Sequence, residues 1–138
     1  MVDRDRVLAK LTYLDAQIVV LQRVAQAQAP DDPLLVSGTR YAIQTAIESL
    51  IDICFHVSAK VARHLPQGAH DALNAAVAGT GVDSARLHRW HDMIGLRNRL
   101  VHGYEEVDNQ RLLASLPEGI VDLQAFVQLA KRAWLAGA

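Results

Sequence analysis

The sequence predicts an all-α fold, an antiparallel bundle of four long helices plus one short helix. Three observations point that way. Apolar residues make up 51% of the 138 while aromatics are only 5%, a balance that favours helices over a sandwich or barrel. Apolar positions recur at steps of three and four along most of the chain, the period of a helix with one buried stripe. The interruptions are short (Pro30–Pro33, Leu65–Gly68, Gly79–Gly81 and Gly103), so consecutive helices should fold back on one another.

The first helix is expected over 3–28, with Val7, Leu11, Leu14, Ile18, Leu21 and Ala25 as its inner stripe and Asp5, Lys10, Asp15, Gln22 and Gln26 opposite. Pro30-Asp31-Asp32-Pro33 ends it, and Asp32 before Pro33 can cap the second, expected over 34–63. That helix buries Ile43, Ile47, Leu50, Cys54, Val57 and Val61, with Gly38 as a weak point costing up to ~1 kcal/mol relative to alanine. A turn at Leu65–Gly68 leads to the short helix, 70–78, ended by Gly79-Thr80-Gly81. Asp83-Ser84 then caps the fourth helix, 84–102, whose inner face is Leu87, Trp90, Ile94 and Val101. From Leu112 the stripe runs through Leu116, Ile120, Leu123, Val127, Ala130 and Trp134. Pro117 lies within it, so a kinked rod or two helices end to end are expected, with Ser115 and Glu118 at capping-box spacing for the restart.

Residues 1–138 are the length of one domain with one core. A net charge of −1 gives no overall field to draw in nucleic acid, so any RNA must be held by a local cluster. The single cysteine, Cys54, excludes an internal disulfide, falls on the buried stripe and fits a reducing, cytoplasmic location. No signal peptide is read at the N-terminus, and no apolar run approaches the ~20 residues of a membrane span. Neither a P-loop nor a nucleophile elbow is present, so no cofactor is expected. His88 and His91 share a helical face near Asp92, but the partner motif of a metal site is missing, and solvated or interface roles are the better expectation.

Chemistry concentrates in Gly95-Leu96-Arg97-Asn98-Arg99-Leu100-Val101-His102-Gly103-Tyr104, where the fourth helix stops. Arginine clamps phosphate through a planar fork of donors, and histidine exchanges protons near neutrality. Asn98 and His102 lie one above the other, whereas Arg97 and His102 are separated by roughly 140° beyond a full turn. They converge only if the arginine bends round the rod or the turn loosens near Gly103, the expected helix stop. The helix C-terminus repels phosphate, so Arg97 and Arg99 would have to hold one against that field. On the second helix Arg40, Gln44, Glu48, Asp52 and His56 form a polar line at steps of four. It is either a solvated face or the wall of a cleft in which Glu48 or Asp52 holds Arg97 or Arg99. Asp52 could alternatively orient His56.

The wording G-L-R-N-R-L-V-H-G-Y resembles the R-x4-H-x-Y motif of the HEPN superfamily, and specifically its HepT-like toxins. Arg40–Val57 resembles that family's second helix, Val107-Asp108 follows the motif as in the family, and the similarity spans nearly the whole chain. The resemblance implies a HEPN-like bundle and a toxin of a type VII-like toxin–antitoxin pair. Its activity would be a metal-independent ribonuclease, an RNA endonuclease or 3′-end nuclease, acting on tRNA or mRNA. His102 would be the general acid or base and Arg97 the phosphate clamp, with Asn98, Arg99, Glu48 and Asp52 in support. Tyr104 would receive AMP from a cognate minimal nucleotidyltransferase antitoxin. A homodimer with motifs paired across its interface is also implied, and would supply the second imidazole that one active site needs. The neutral charge favours a rival, a non-catalytic HEPN subunit that binds a nucleotide or partner. The complete arginine–histidine–tyrosine set favours the nuclease.

Overall fold

A computed structural model describes residues 2–27, 32–102 and 107–136, and among them every regular element is helical. The helices are α1 (Arg4–Ala25), α2 (Pro33–Lys60), α3 (Ala69–Val77), α4 (Ser84–His102), α5 (Asn109–Ala114) and α6 (Leu116–Ala130), and a wider π-helical turn over Lys131–Leu135 extends α6. The C-terminal rod is therefore two helices laid end to end, and the bundle has a second short helix, α5. No helix of the described residues is long and apolar enough to cross a membrane.

Local chemistry sets most boundaries. Asp3, Asp32 and Asp108 cap α1, α2 and α5, each carboxylate accepting a backbone N–H of the first turn. Pro33 stands where its missing N–H costs nothing. Asp83 accepts from the Arg86 N–H at 2.7 Å at the start of α4. Past the end of α3, Gly79 and Gly81 take φ of +78° and +81°, which only glycine adopts cheaply. The capping box does not form: Ser115 Oγ donates back to the Leu112 carbonyl at 2.8 Å, and its helical backbone joins α5 to α6.

The core is one cluster, with Leu11, Leu14, Ile47, Leu50, Leu73, Ile94 and Leu123 almost wholly buried. Trp90 meets Phe126 edge to face at 5.4 Å, and Phe126 meets Trp134 at 5.8 Å. Every member of the C-terminal stripe is buried, Leu112 through Trp134. Three expected core residues are instead exposed: Ala25, Val61 and Val101. Each lies at the end of its helix, where the stripe runs on past the neighbours that would cover it. Cys54 is buried, and its burial pushes the thiol well above the ordinary range, so it is plain core.

The polar line on α2 is neither wholly solvated nor wholly in one cleft. A step of four residues advances roughly 40° around a helix, so the line changes neighbour as it descends. Arg40 donates to Asn109 Oδ1 at 2.9 Å and Glu48 faces Arg97 on α4. Asp52 pairs with Lys10 on α1 at 2.9 Å, not with His56. The buried His56 Nε2 accepts the Asp3 N–H at 3.0 Å, which ties it to the start of α1.

Burial first, then Arg6, lowers the His56 pKa, and burial followed by His70 and His88 lowers that of His91. A histidine whose folded pKa is depressed binds protons more weakly than in the unfolded chain. Its stabilisation is therefore complete above the unfolded value near ~6.5 and is lost as pH falls through the folded value. Urea midpoints should drop on going from pH 7.5 to 5, and His56→Gln, which keeps an acceptor, should flatten that drop. An equally steep drop in the variant would assign the effect elsewhere.

Candidate functional site

Because α2 runs antiparallel to α4, the N-terminal half of α2 lies beside the C-terminal half of α4, where the candidate residues gather. Arg97 is half-buried between the two. Its Nε and Nη2 donate to Glu48 Oε2 at 3.4 and 3.3 Å, and its Nη1 donates to Asn98 Oδ1 at 3.1 Å. These three bonds hold the guanidinium in one orientation, and two of the five N–H donors of an arginine remain for a ligand. Glu48 is thus the residue of α2 that reaches the motif. Asp52, one turn further on, has rotated to the α1 side, where it pairs with Lys10 and shares a groove with Tyr13, Thr45 and Glu48.

His102 is the last helical residue and is exposed, as is Val101 beside it. Arg99 precedes His102 by three residues, so the two share a face, while Arg97 points to the other side of the rod. The tip therefore carries Arg99 and His102 on one face and Arg97, braced against α2, on the other. Arg99 and His102 also lie in the last turn, where positive charge complements the helix dipole. Gly103 and Tyr104, the expected helix stop and phenol, lie outside the described residues.

Two features escaped the sequence reading. Beside the tip, between α4 and α5, runs an open groove of about 430 Å³ lined by Arg99, Leu96 and Met93 on one side and Arg111 and Leu112 on the other. Deeper along α4, Asp122 of α6 is buried and gathers two arginines. Arg86 Nη1 donates to its Oδ1, and Arg89 donates to its Oδ2 through Nε at 2.9 Å and Nη2 at 2.7 Å. The Asp122 carbonyl also accepts the Trp90 indole N–H at 2.9 Å. In the adjoining cleft, of about 650 Å³, the charged groups are spent on one another, and it is a structural seam. A carboxylate inside the apolar run Ile120–Val127 was the available signal for Asp122.

The other polar residues are placed as interface or surface groups. His91 bridges α4 to α3, its Nδ1 2.7 Å from His70 Nδ1 and its Nε2 2.8 Å from Asn74 Oδ1. The 4.9 Å centroid separation is near that contact plus a ring radius at each end, so the nearly parallel rings meet edge to edge. His88 is exposed, 3.6 Å from Asp92. Among the described residues no three metal-binding side chains come together.

Comparison with known proteins places the chain among relatives of the same helical fold. The chain is 22% identical over 129 residues to the mRNA nuclease HepT of Shewanella oneidensis, covering 92% of this chain and 97% of that one. It is 32% identical over 129 residues to a protein of Archaeoglobus fulgidus named as a candidate RNase, covering 91% and 90%. Among solved structures it superposes on a tri-AMPylated HEPN toxin of Shewanella oneidensis in complex with its MNT antitoxin. The TM-score there is 0.83 at 23% identity, over 96% of this chain and 99% of that one. A toxin–antitoxin complex with AMP-PNP gives 0.81 at 22% identity, over 93% and 98%. Residues 11–130 match the family model for ribonuclease HepT-like proteins, and the chain belongs to that family.

Proposed function

We propose that this chain is the toxin of a toxin–antitoxin pair, a metal-independent ribonuclease that cuts tRNA or mRNA at the end of α4. The observation that carries the reading is the pre-set Arg97, held by Glu48 and Asn98 in the same helix end that presents His102 to solvent. A phosphate clamp fixed before substrate arrives avoids the entropy of ordering a long side chain. The names of its relatives, an mRNA nuclease and a toxin solved with its antitoxin, support the same reading.

The RNA supplies its own nucleophile. His102 takes the proton of the 2′-hydroxyl as that oxygen attacks the adjacent phosphorus. Arg97 stabilises the charge that builds on the non-bridging oxygens, and the 5′-oxygen of the next nucleotide leaves with a proton from a second acid. The products are a 2′,3′-cyclic phosphate and a 5′-hydroxyl. A twofold homodimer provides the second acid as the partner copy's own histidine and lets groups on opposite sides of each α4 tip meet in one cleft, since an isologous contact brings identical tips together. Asn98 steadies Arg97, and Glu48 is a positioning residue that acts through it.

Silencing is assigned to Tyr104, two residues past His102, as the acceptor of AMP from a cognate minimal nucleotidyltransferase. The AMPylated state of the Shewanella oneidensis toxin supports this. AMP on this phenol would add phosphate charge and bulk that compete with RNA for Arg97. With the nucleotidyltransferase and ATP, mass spectrometry should find AMP on the parent chain and none on Tyr104→Phe, which still cuts RNA. AMP on the variant at the parent's level would move the modification to another residue.

A further inference from the structure

The groove beside the α4 tip holds charge that the Arg97–His102 pair does not use. Arg99 on α4 and Arg111 on α5 line its two walls, and among the described residues neither has an ion pair. Three carboxylates also line it, each with a contact of its own. Asp92 faces His88, Asp108 accepts the Gln110 and Arg111 N–H groups, and Asp122 lies between Arg86 and Arg89. Between the two guanidiniums the floor is apolar, built from Met93, Leu96 and Leu112.

Two cations facing each other over an apolar strip complement a polymer that alternates phosphate with ribose and base. The volume, about 430 Å³, lies within the ~300–1,000 Å³ of sites that take a small ligand. The groove is continuous with the tip, because Arg99 belongs to both and shares a face with His102. We infer that this groove carries the RNA strand next to the cut, Arg99 and Arg111 clamping the phosphate that flanks the scissile one while Leu96 and Leu112 pack its ribose and base. The inference rests on the ribonuclease reading and adds to it a residue, Arg111, that lies outside the motif.

The test is a binding measurement in the non-cleaving His102→Ala chain, with a short labelled single-stranded RNA followed by anisotropy over a range of potassium chloride. Adding Arg111→Ala should weaken binding about tenfold and reduce the magnitude of the log K against log salt slope by about 0.7, one phosphate contact on a single strand. Arg111 is exposed and among the described residues its side chain makes no hydrogen bond or ion pair, so the variant should fold. Arg132, at the far end of α6, is the control, and Arg132→Ala should leave affinity and slope unchanged. Equal affinity and slope with and without Arg111, or an equal loss from Arg132→Ala, would overturn the clamp. Loss of nucleotidyltransferase binding on Arg111→Ala with the RNA slope intact would overturn it too, giving the groove to a protein. The nuclease reading fails separately: the unsubstituted chain would leave RNA uncut whatever Arg111 does to binding.

Discussion

Replacing His102 with alanine is expected to lower RNA cleavage by about 10²–10⁴-fold, the range for loss of a positioned proton-transfer group. The fold should be untouched, because His102 is exposed in the last turn of α4 and its removal opens no cavity. Near-unchanged urea midpoints together with lost cleavage would place the effect in chemistry. Arg97→Ala should show a mixed loss. It removes the phosphate clamp and leaves Glu48, itself only about 33% exposed at the side chain, without its cation. Arg97→Lys should restore little, since an ammonium cannot keep both Glu48 and Asn98 while offering a planar fork. Cleavage by His102→Ala at the parent's rate would contradict the assignment.

Asp122→Ala is expected to be the most damaging change at a charged residue, at about 2–3 kcal/mol by urea denaturation at pH 7. Asp122 is 4% exposed and is the shared acceptor of Arg86 and Arg89, which fasten α4 to α6. Removing it leaves Arg86 without its acceptor and Arg89 with only the exposed Glu118 at 3.4 Å. The cost stays below the ~3–5 kcal/mol of a fully buried broken pair because both arginine side chains, 30% and 43% exposed, can turn to water. Asp122→Asn keeps an acceptor and should lose about half as much. The Lys10–Asp52 pair makes a useful contrast. Its partners are 41% and 54% exposed, so Asp52→Ala should cost under ~1 kcal/mol. Equal losses at Asp122 and Asp52 would contradict the account of the seam.

Periodicity and helix stops made most of the bundle readable. Leu112 to Trp134 kept one phase through Pro117 because both helices there bury the same side, and Ser84–His102 matched its expected range because Asp83 caps one end. Periodicity does not say where neighbours stop, and so Ala25, Val61 and Val101 were placed inside although their helices outrun the core at those points. The polar line of α2 was visible as a line. Which of its members meets α4 and which meets α1 depended on the packing of three helices, and only Glu48 of the two candidate carboxylates reached Arg97. Asp122 shows the same limit more sharply. A lone carboxylate among apolar residues reads as a solvated gap until Arg86 and Arg89, over thirty residues earlier, are brought against it. Arg111 had no signal of its own, since one arginine at the head of a short helix is ordinary.

The central claim is that Arg97 and His102 break RNA by an internal attack that needs no metal. The ends of the fragments test it most directly. Labelled RNA incubated with the purified chain in excess EDTA should yield pieces ending in a 2′,3′-cyclic phosphate, with 5′-hydroxyls on the neighbours, and His102→Ala should yield none. Fragments bearing 5′-phosphates and 3′-hydroxyls, or cleavage that stops when EDTA is added, would contradict it.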